Sequence, residues 1–346
     1  MEDVIVIGGG PAGNMAAIGL VELGHRVVVI DSRHCLGDKL CTGIIGKECF
    51  DRFPPDEEDI LGKAQSATFV SPLGKTHRVT KKKPQAYIVD RISFVASLAE
   101  RASDGGAVYR LGEQVVGISR NSQSIEVETV SGSSHHKYES KVVVIGSGFG
   151  SPLLPMVGLT SGGSNGHMVA SQAVVESSNL TETEIYLGRN VAPGSFGWLV
   201  PIDESIALTG MVTRQKLNGH MDNFIDSLSE DGKVKSVIDE PKKWGIPVKP
   251  LPRTYSDGVV VVGDAAGLVK PTTGGGIYYA LLSGEIAATT VHAAFVNENF
   301  SAIQLSNYET EWKRLFGNEL RVGYYARMIY ETLGDSQIES LLDTVL

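Results

Sequence analysis

Two glycine-rich segments, far apart in the chain, carry residue types and spacings suited to holding a phosphorylated ligand. The first, Gly8-Gly9-Gly10-Pro11-Ala12-Gly13, directly follows the apolar run Val4-Ile5-Val6-Ile7. A pyrophosphate must be met at close range by backbone N–H groups. Glycines at 8, 10 and 13 allow the tight turn, the close approach and the helix–strand packing this requires. Asp31 ends the next apolar run, residues 27–30, where a carboxylate can accept both hydroxyls of an adenosine ribose. Ser32 and Arg33 follow it and join the cofactor-binding set. The second segment, Gly263-Asp264-Ala265-Ala266-Gly267, follows four valines and precedes Thr273-Gly274-Gly275-Gly276. Asp264 can hold a ribityl hydroxyl, and Gly274, Gly275 and Gly276 leave room for a flat ring against backbone. The helix starting at Ile277 would aim its positive end at the pyrimidine side of that ring. The first segment does not separate FAD from NAD. The two together, in this order, point to FAD.

These residues need particular elements to position them. A strand at 4–7, a helix at 11–23 stopped by Gly24 and a strand at 27–30 make a β-α-β unit. Residues 31–63 show no sustained period and are expected to be a long functional loop with short helices. Hairpins are expected at 67–79 around Pro72-Leu73-Gly74 and at 115–130 around Asn121-Ser122. A helix at 90–102 would turn Ile92, Val95, Leu98 and Ala99 to one face. A buried strand at 142–145 ends in Gly146, a further cofactor-binding position. Alternating strands follow at 184–187, 197–200 and 206–212, helices at 217–228 and 232–238, and a proline-rich return path at 241–252. A strand at 259–262, the helix after Gly276 and several helices from 302 onward complete the chain.

Composition excludes several function classes. A net charge of −9 over 346 residues argues against nucleic acid, which needs a basic face. The Lys81-Lys82-Lys83 run is expected to be a solvated turn between strands. No secretion signal precedes the first strand, and three cysteines do not make a disulfide framework. The longest apolar stretch, Ile277–Val296, carries Glu285 and His292 and is best explained as a buried helix. The expected address is cytoplasmic, with at most peripheral membrane contact. Tyr324, Tyr325, Met328 and Tyr330 lie at helical spacing and are assigned to helix packing. His135 and His136 are placed in a polar turn, and no cluster has metal-ligand spacing.

From Val4 to about Ala288 the chain resembles the geranylgeranyl reductase family, within the p-hydroxybenzoate hydroxylase-type FAD-dependent oxidoreductases. The resemblance rests on Gly8–Gly13 with Asp31, and on Lys39-Leu40-Cys41-Thr42-Gly43. Further matches are residues 89–94, 142–151, 194–201 and 263–276. It implies that Lys39, Cys41, Thr42 and Gly43 border the cofactor, that Arg91 sits near the FAD diphosphate, and that Cys41 lies near the reactive flavin face. It also implies a lipid pocket beside Phe196, Trp198 and Pro201. The family's Tyr-x-Trp-x-Phe-Pro box reads Phe-Gly-Trp-Leu-Val-Pro here, so no tyrosine hydroxyl stands at Phe196. Ser147-Gly148 replaces the Asp-Gly pair of many hydroxylase-type members, and the C-terminal portion is shorter than in many lipid reductases of the family.

Cys41 is the candidate catalytic residue, as a proton relay; a small buried loop residue is the competing reading. A redox disulfide between Cys35 and Cys41 lacks the closer pair and second nicotinamide fold that disulfide reductases use. Cys49 is assigned to packing.

The expected architecture is α/β (α+β): a discontinuous Rossmann-type FAD-binding domain (1–65, 84–155 and 255–298), an inserted antiparallel-sheet substrate domain (66–83 and 156–254) and a C-terminal helical cap (299–346). The antiparallel sheet would cover the isoalloxazine. The expected function is an FAD-dependent reductase that saturates carbon–carbon double bonds of an isoprenoid or similar apolar substrate. NAD(P)H or a ferredoxin-like carrier would supply the electrons. The alternatives are a flavin monooxygenase of the same fold and a prenyl- or lipid-binding protein without catalysis.

Overall fold

The computed structural model describes residues 2–39, 41–160, 166–178, 180–215, 217 and 219–345. The chain forms two compact units, each assembled from three segments. The first comprises Met1–Asp38, Arg91–Asn165 and Pro247–Gly323; the second comprises Lys39–Asp90, Gly166–Ile246 and Tyr324–Leu346. This division places residues 39–65 and 84–90 in the second unit, where the sequence boundaries put them with the FAD domain, and it splits the C-terminal helices at 323/324.

The first unit is built on valine and isoleucine runs that read as buried parallel strands. In chain order its elements are β1 (Glu2–Ile7), α1 (Pro11–Glu22), β2 (Val27–Asp31), α2 (Arg91–Asp104), β3 (Val108–Leu111), β4 (Gln114–Arg120), β5 (Ile125–Ser131), β6 (Ser134–Ile145), β7 (Tyr255–Ser256), β8 (Val259–Val261) and α3 (Ile277–Val296). The sheet order is β7-β8-β6-β1-β2-β3. From β8 to β3 every pairing is parallel, while β7 is antiparallel to β8. β4 and β5 form an antiparallel meander onto the first half of β6. α1 packs against α2 and α3. Close approach to α3 needs glycine at 284, where a Cβ would stand 2.4 Å from the Ala12 carbonyl oxygen. α3 is long and apolar enough to cross a membrane by composition, yet 67% of its apolar window is buried in the protein. That fits the expected core helix.

The second unit carries a seven-stranded sheet in the order Val234–Pro247, His167–Ser177, Ile206–Thr213, Phe196–Pro201, Thr183–Leu187, Ser66–Val70 and Thr76–Thr80. One face packs on the helix His220–Glu230 through Phe224, Ile225 and Leu228 against Val175, Leu199 and Met211. A small three-stranded sheet pairs Ala86–Val89 with Ile44–Gly46 and Ile60–Ala64, two strands that arise from the segment expected to be loop.

Several local expectations fail for identifiable reasons. Residues 232–238 were expected to be helical. They instead begin the edge strand Val234–Pro247, where Pro241 is tolerated because one side of an edge strand needs no ladder donor. Ile92 is 48% exposed; Phe94 and Ala102 complete the buried face of α2 instead. His135 and His136 lie on β6, not in a turn. Tyr325 is 61% exposed and Met328 is also exposed, so helix packing does not account for them. Tyr330 does pack, with its hydroxyl donating to the Ser195 carbonyl oxygen at 3.2 Å.

Candidate functional site

The parallel register sets the geometry of the first unit. Ile7 pairs with Ile30 and Ile145, and Ile145 pairs with Val261, so four strands end level. Their next residues, Gly8, Asp31, Gly146 and the Val262-Gly263 pair, therefore emerge along one carboxyl edge. In open α/β sheets that edge is where ligands bind.

The glycines there are of two kinds. Gly8 has φ +102°, and a Cβ on it would stand 2.4 Å from the Gly146 carbonyl oxygen. A Cβ on Gly13 would stand 1.9 Å from the Gly8 carbonyl oxygen. These two hold the turn against the sheet. At Gly10 a Cβ would meet no protein atom within 4 Å, so the space in front of this residue is open. Gly10 caps α1 with no side-chain hydrogen bond, and Pro11 at the first position has no N–H to orphan. The remaining first-turn N–H groups and the helix dipole face that space, a cradle that fits a pyrophosphate.

Asp31 is buried and anchored by backbone: Gly9 N–H donates to Oδ2 and Arg33 N–H to Oδ1, each at 2.8 Å. Each oxygen keeps a lone pair for a ribose hydroxyl. Ser32 and Arg33 are exposed. Arg91, at the first position of α2, donates from Nη1 to the Gly37 carbonyl oxygen at 2.6 Å.

The second segment meets the first. A Cβ on Gly263 would stand 2.9 Å from the Ala12 Cβ, so this turn lies against the start of α1. Gly263 N–H donates to Ser283 Oγ at 3.0 Å. Asp264 lies next to Gly276, where a Cβ would come within 2.9 Å of its Oδ1. Gly267 adopts φ +73° against the Lys249 carbonyl, and Gly274 φ +76°. Gly276 caps α3, again without a side-chain cap, and so brings the start of that helix beside the Asp264 turn. Gly275 is exposed.

Sequence reasoning missed Asn14. It is fully buried, donates to the carbonyl oxygens of Gly9 at 3.0 Å and Val95 at 3.2 Å, and accepts from the Tyr109 hydroxyl at 2.9 Å. A lone amide in an otherwise apolar first half of α1 was the available signal.

The remaining predicted residues belong to the second unit. Leu40 of the Lys39–Gly43 motif lies outside the described residues. Cys41 is half-buried, and its Sγ accepts from Gly43 N–H at 3.5 Å. Gly43 has φ +68°, with no room for a Cβ, which would be 2.4 Å from the Val89 carbonyl oxygen. Lys39 and Thr42 are half-buried. Gln172, also missed, donates from Nε2 to the Cys41 carbonyl oxygen at 3.4 Å. Phe196 and Trp198 share a sheet face, with ring centroids 6.0 Å apart. Strand alternation turns Pro201 to the opposite face, and Pro201 lines a cavity of about 460 Å³ with Leu61, Ser66 and Glu182. All three cysteines are free. Burial pushes the Cys49 thiol up to about 12, which suits its packing role. Among the described residues no metal-ligand cluster is present.

An open parallel sheet whose carboxyl edge gathers two glycine turns, a ribose-level carboxylate and two uncapped helix N-termini defines a Rossmann-type FAD-dependent oxidoreductase. Residues 2–189 match the family model described as pyridine nucleotide-disulphide oxidoreductase. The chain is 30% identical to the digeranylgeranylglycerophospholipid reductase of Methanocaldococcus jannaschii, over 99% of this chain and 90% of that protein. A geranylgeranyl bacteriochlorophyll reductase-like protein from Thermoplasma acidophilum superposes with a TM-score of 0.92, at 25% identity over 99% of this chain and 90% of that one. A p-nitrophenol 4-monooxygenase from Pseudomonas putida reaches a TM-score of 0.79 at 16% identity, over 99% of this chain and 93% of that one, a likeness of fold alone. This protein belongs to the pyridine nucleotide-disulphide oxidoreductase family and to the geranylgeranyl reductases.

Proposed function

We propose that this protein saturates carbon–carbon double bonds in an isoprenoid chain carried by a lipid, with FAD as the hydride source. The observation that supports it most is likeness to an archaeal isoprenoid-lipid reductase over 99% of the chain, combined with a carboxyl edge shaped for FAD. When bound and reduced, FAD supplies a hydride to one alkene carbon.

The chain's own residues supply the rest. The N–H groups of Ala12 and Gly13 bind the pyrophosphate, Asp31 the adenosine ribose and Asp264 the ribityl chain. Arg91, tied to Gly37, and Gly146 border the same edge. The N-terminus of α3 stabilises negative charge on the pyrimidine side of the ring. Phe196 and Trp198 give the isoprenoid a largely apolar wall that orients it. An isolated alkene is a poor hydride acceptor, so a proton must reach the other carbon as the hydride arrives. Cys41 is assigned to hold that proton at Sγ, and Lys39, Thr42 and Gly43 shape its loop. Electrons come from NAD(P)H bound transiently or from a ferredoxin-like carrier; no second parallel dinucleotide-binding sheet exists among the described residues. The exposed Val322, Tyr325 and Ile329 on the helix Asn318–Tyr330 suit peripheral contact with the membrane that carries such a substrate.

The test is anaerobic incubation of the reduced, FAD-loaded protein with a polyprenyl lipid, followed by mass spectrometry. The expected product gains the mass of H2 per reduced bond. An unchanged lipid, or one that gains oxygen only in air, overturns the reading, and the second result identifies a monooxygenase.

A further inference from the structure

The seven-stranded sheet face opposite its helix contains a buried donor atom and a buried acceptor atom that have no partner among the described residues. Trp198 pairs with Gly210, and Gly210 pairs with Gln172, so the three form one row across adjacent antiparallel strands. Trp198 and Gln172 project from the same face of that row. Glycine is required between them: a Cβ at 210 would stand 2.4 Å from Trp198 Cζ2 and 2.7 Å from Cε2, so the indole lies over the bare backbone. Cε2 is the ring carbon bonded to Nε1, so the pyrrole side of the indole borders this row.

Both side chains are more than nine-tenths buried, at 7% and 4% exposure. Among the described residues, Trp198 Nε1 has no acceptor and Gln172 Oε1 has no donor. The amide orientation is fixed by chemistry. Gln172 faces the Cys41 carbonyl, which only accepts, so the nitrogen must point there and the oxygen is left over. On the three strands of this row the neighbouring same-face residues are Phe196, Val200, Ala170, Val174, Leu208 and Val212, and Ile185 pairs with Trp198 on the next strand; none offers a side-chain polar atom. A buried donor and a buried acceptor left open in an apolar wall carry a desolvation penalty that a ligand would relieve.

The missing partner must accept one hydrogen bond and donate another. A carbonyl or carboxylate satisfies only the indole, and an ammonium only the amide oxygen. A hydroxyl does both. We propose that Trp198 Nε1 and Gln172 Oε1 form a clamp for a single hydroxylic oxygen, either a water or an alcohol, beside the Cys41 loop.

The experiment is ultraviolet resonance Raman spectroscopy of the FAD-loaded protein, reading the indole band that reports N–H hydrogen bonding. Subtracting the spectrum of Trp198→Phe isolates the Trp198 contribution. A hydrogen-bonded position in the resting protein identifies a clamped water. A shift to that position only on adding geranylgeraniol identifies an alcohol, and Gln172→Leu should then weaken geranylgeraniol binding roughly two- to tenfold. In either case Gln172→Leu should move the band toward the free-indole position. A free-indole band both with and without the alcohol overturns the proposal, as does a band that Gln172→Leu leaves unmoved. Circular dichroism checks that each variant folds. The readout needs no turnover, so its failure leaves the reductase reading standing, and failure of the reductase assay leaves the clamp standing.

Discussion

The two units build their candidate binding surfaces from different materials. In the first, nearly everything offered to a ligand is backbone: N–H groups at two uncapped helix starts and turns that only glycine can make, with Asp31 and Asp264 as the main side chains. In the second, the surface is a sheet face of Phe196, Trp198 and Gln172 below the Cys41 loop. Backbone recognition tolerates little change of sequence because a single Cβ fills the space it uses. A side-chain surface can be repacked, so substrate preference can change there while the cofactor remains.

The largest effect that would sharpen this contrast comes from the turn glycines. Gly13→Ala drives a Cβ to 1.9 Å from backbone, and Gly8→Ala adds a φ of +102°, so each should cost about 3 kcal/mol or more and yield colourless protein. Thermal melts and the bound-flavin absorbance check this. Gly10→Ala meets no protein atom, so the melting temperature of the apoprotein should hold while FAD affinity falls roughly tenfold or more. Equal loss of fold in all three would break the distinction between turn and ligand glycines. Asp31→Asn should likewise weaken FAD by about 1.5–3 kcal/mol, measured by flavin fluorescence titration.

In the second unit, Gly210→Ala should displace Trp198 at about 1–3 kcal/mol of stability and leave FAD affinity unchanged. Flavin titration of that variant separates the two surfaces directly. Alkylation should rank the thiols: exposed Cys35 first, half-buried Cys41 next and buried Cys49 last, with Cys49 inert until pH approaches about 12. Mass spectrometry of timed iodoacetamide reactions reads the order.

The smallest effect lies far from either surface. Burial, then the neighbouring His292, holds the His25 imidazole below its usual 6.5, and their ring nitrogens are 3.0 Å apart. The fold favours the neutral form, so this contribution is present above pH 6.5 and is lost as pH falls through that value toward the folded pKa. Partial exposure keeps it small. Melting between pH 7 and 5 should drop slightly less in His25→Asn than in the parent.

How much was legible follows the same divide. Val4 to Ile7, the glycine turn and Asp31 were readable because local sequence dictates a strand, a positive-φ turn and a helix start. The strand His167–Ser177 was missed because it is largely buried on both faces and interrupted by Ser171 and Gln172, so it shows no alternation. Val234–Pro247 was misread because its prolines argue against a strand while edge position, invisible locally, excuses them. Pro201 was grouped with Trp198 by motif and separated from it by the pleat.

The amino-acid sequence alone determined the cofactor-binding turns, since each depends on backbone freedom that a residue either has or lacks. Only the tertiary structure decided that Gly263 seats against Ala12, that Asn14 pins the Gly9 carbonyl, and that Trp198 and Gln172 share one row on either side of Gly210. Those relations arise from strand register and long-range packing, which no local stretch of chain encodes.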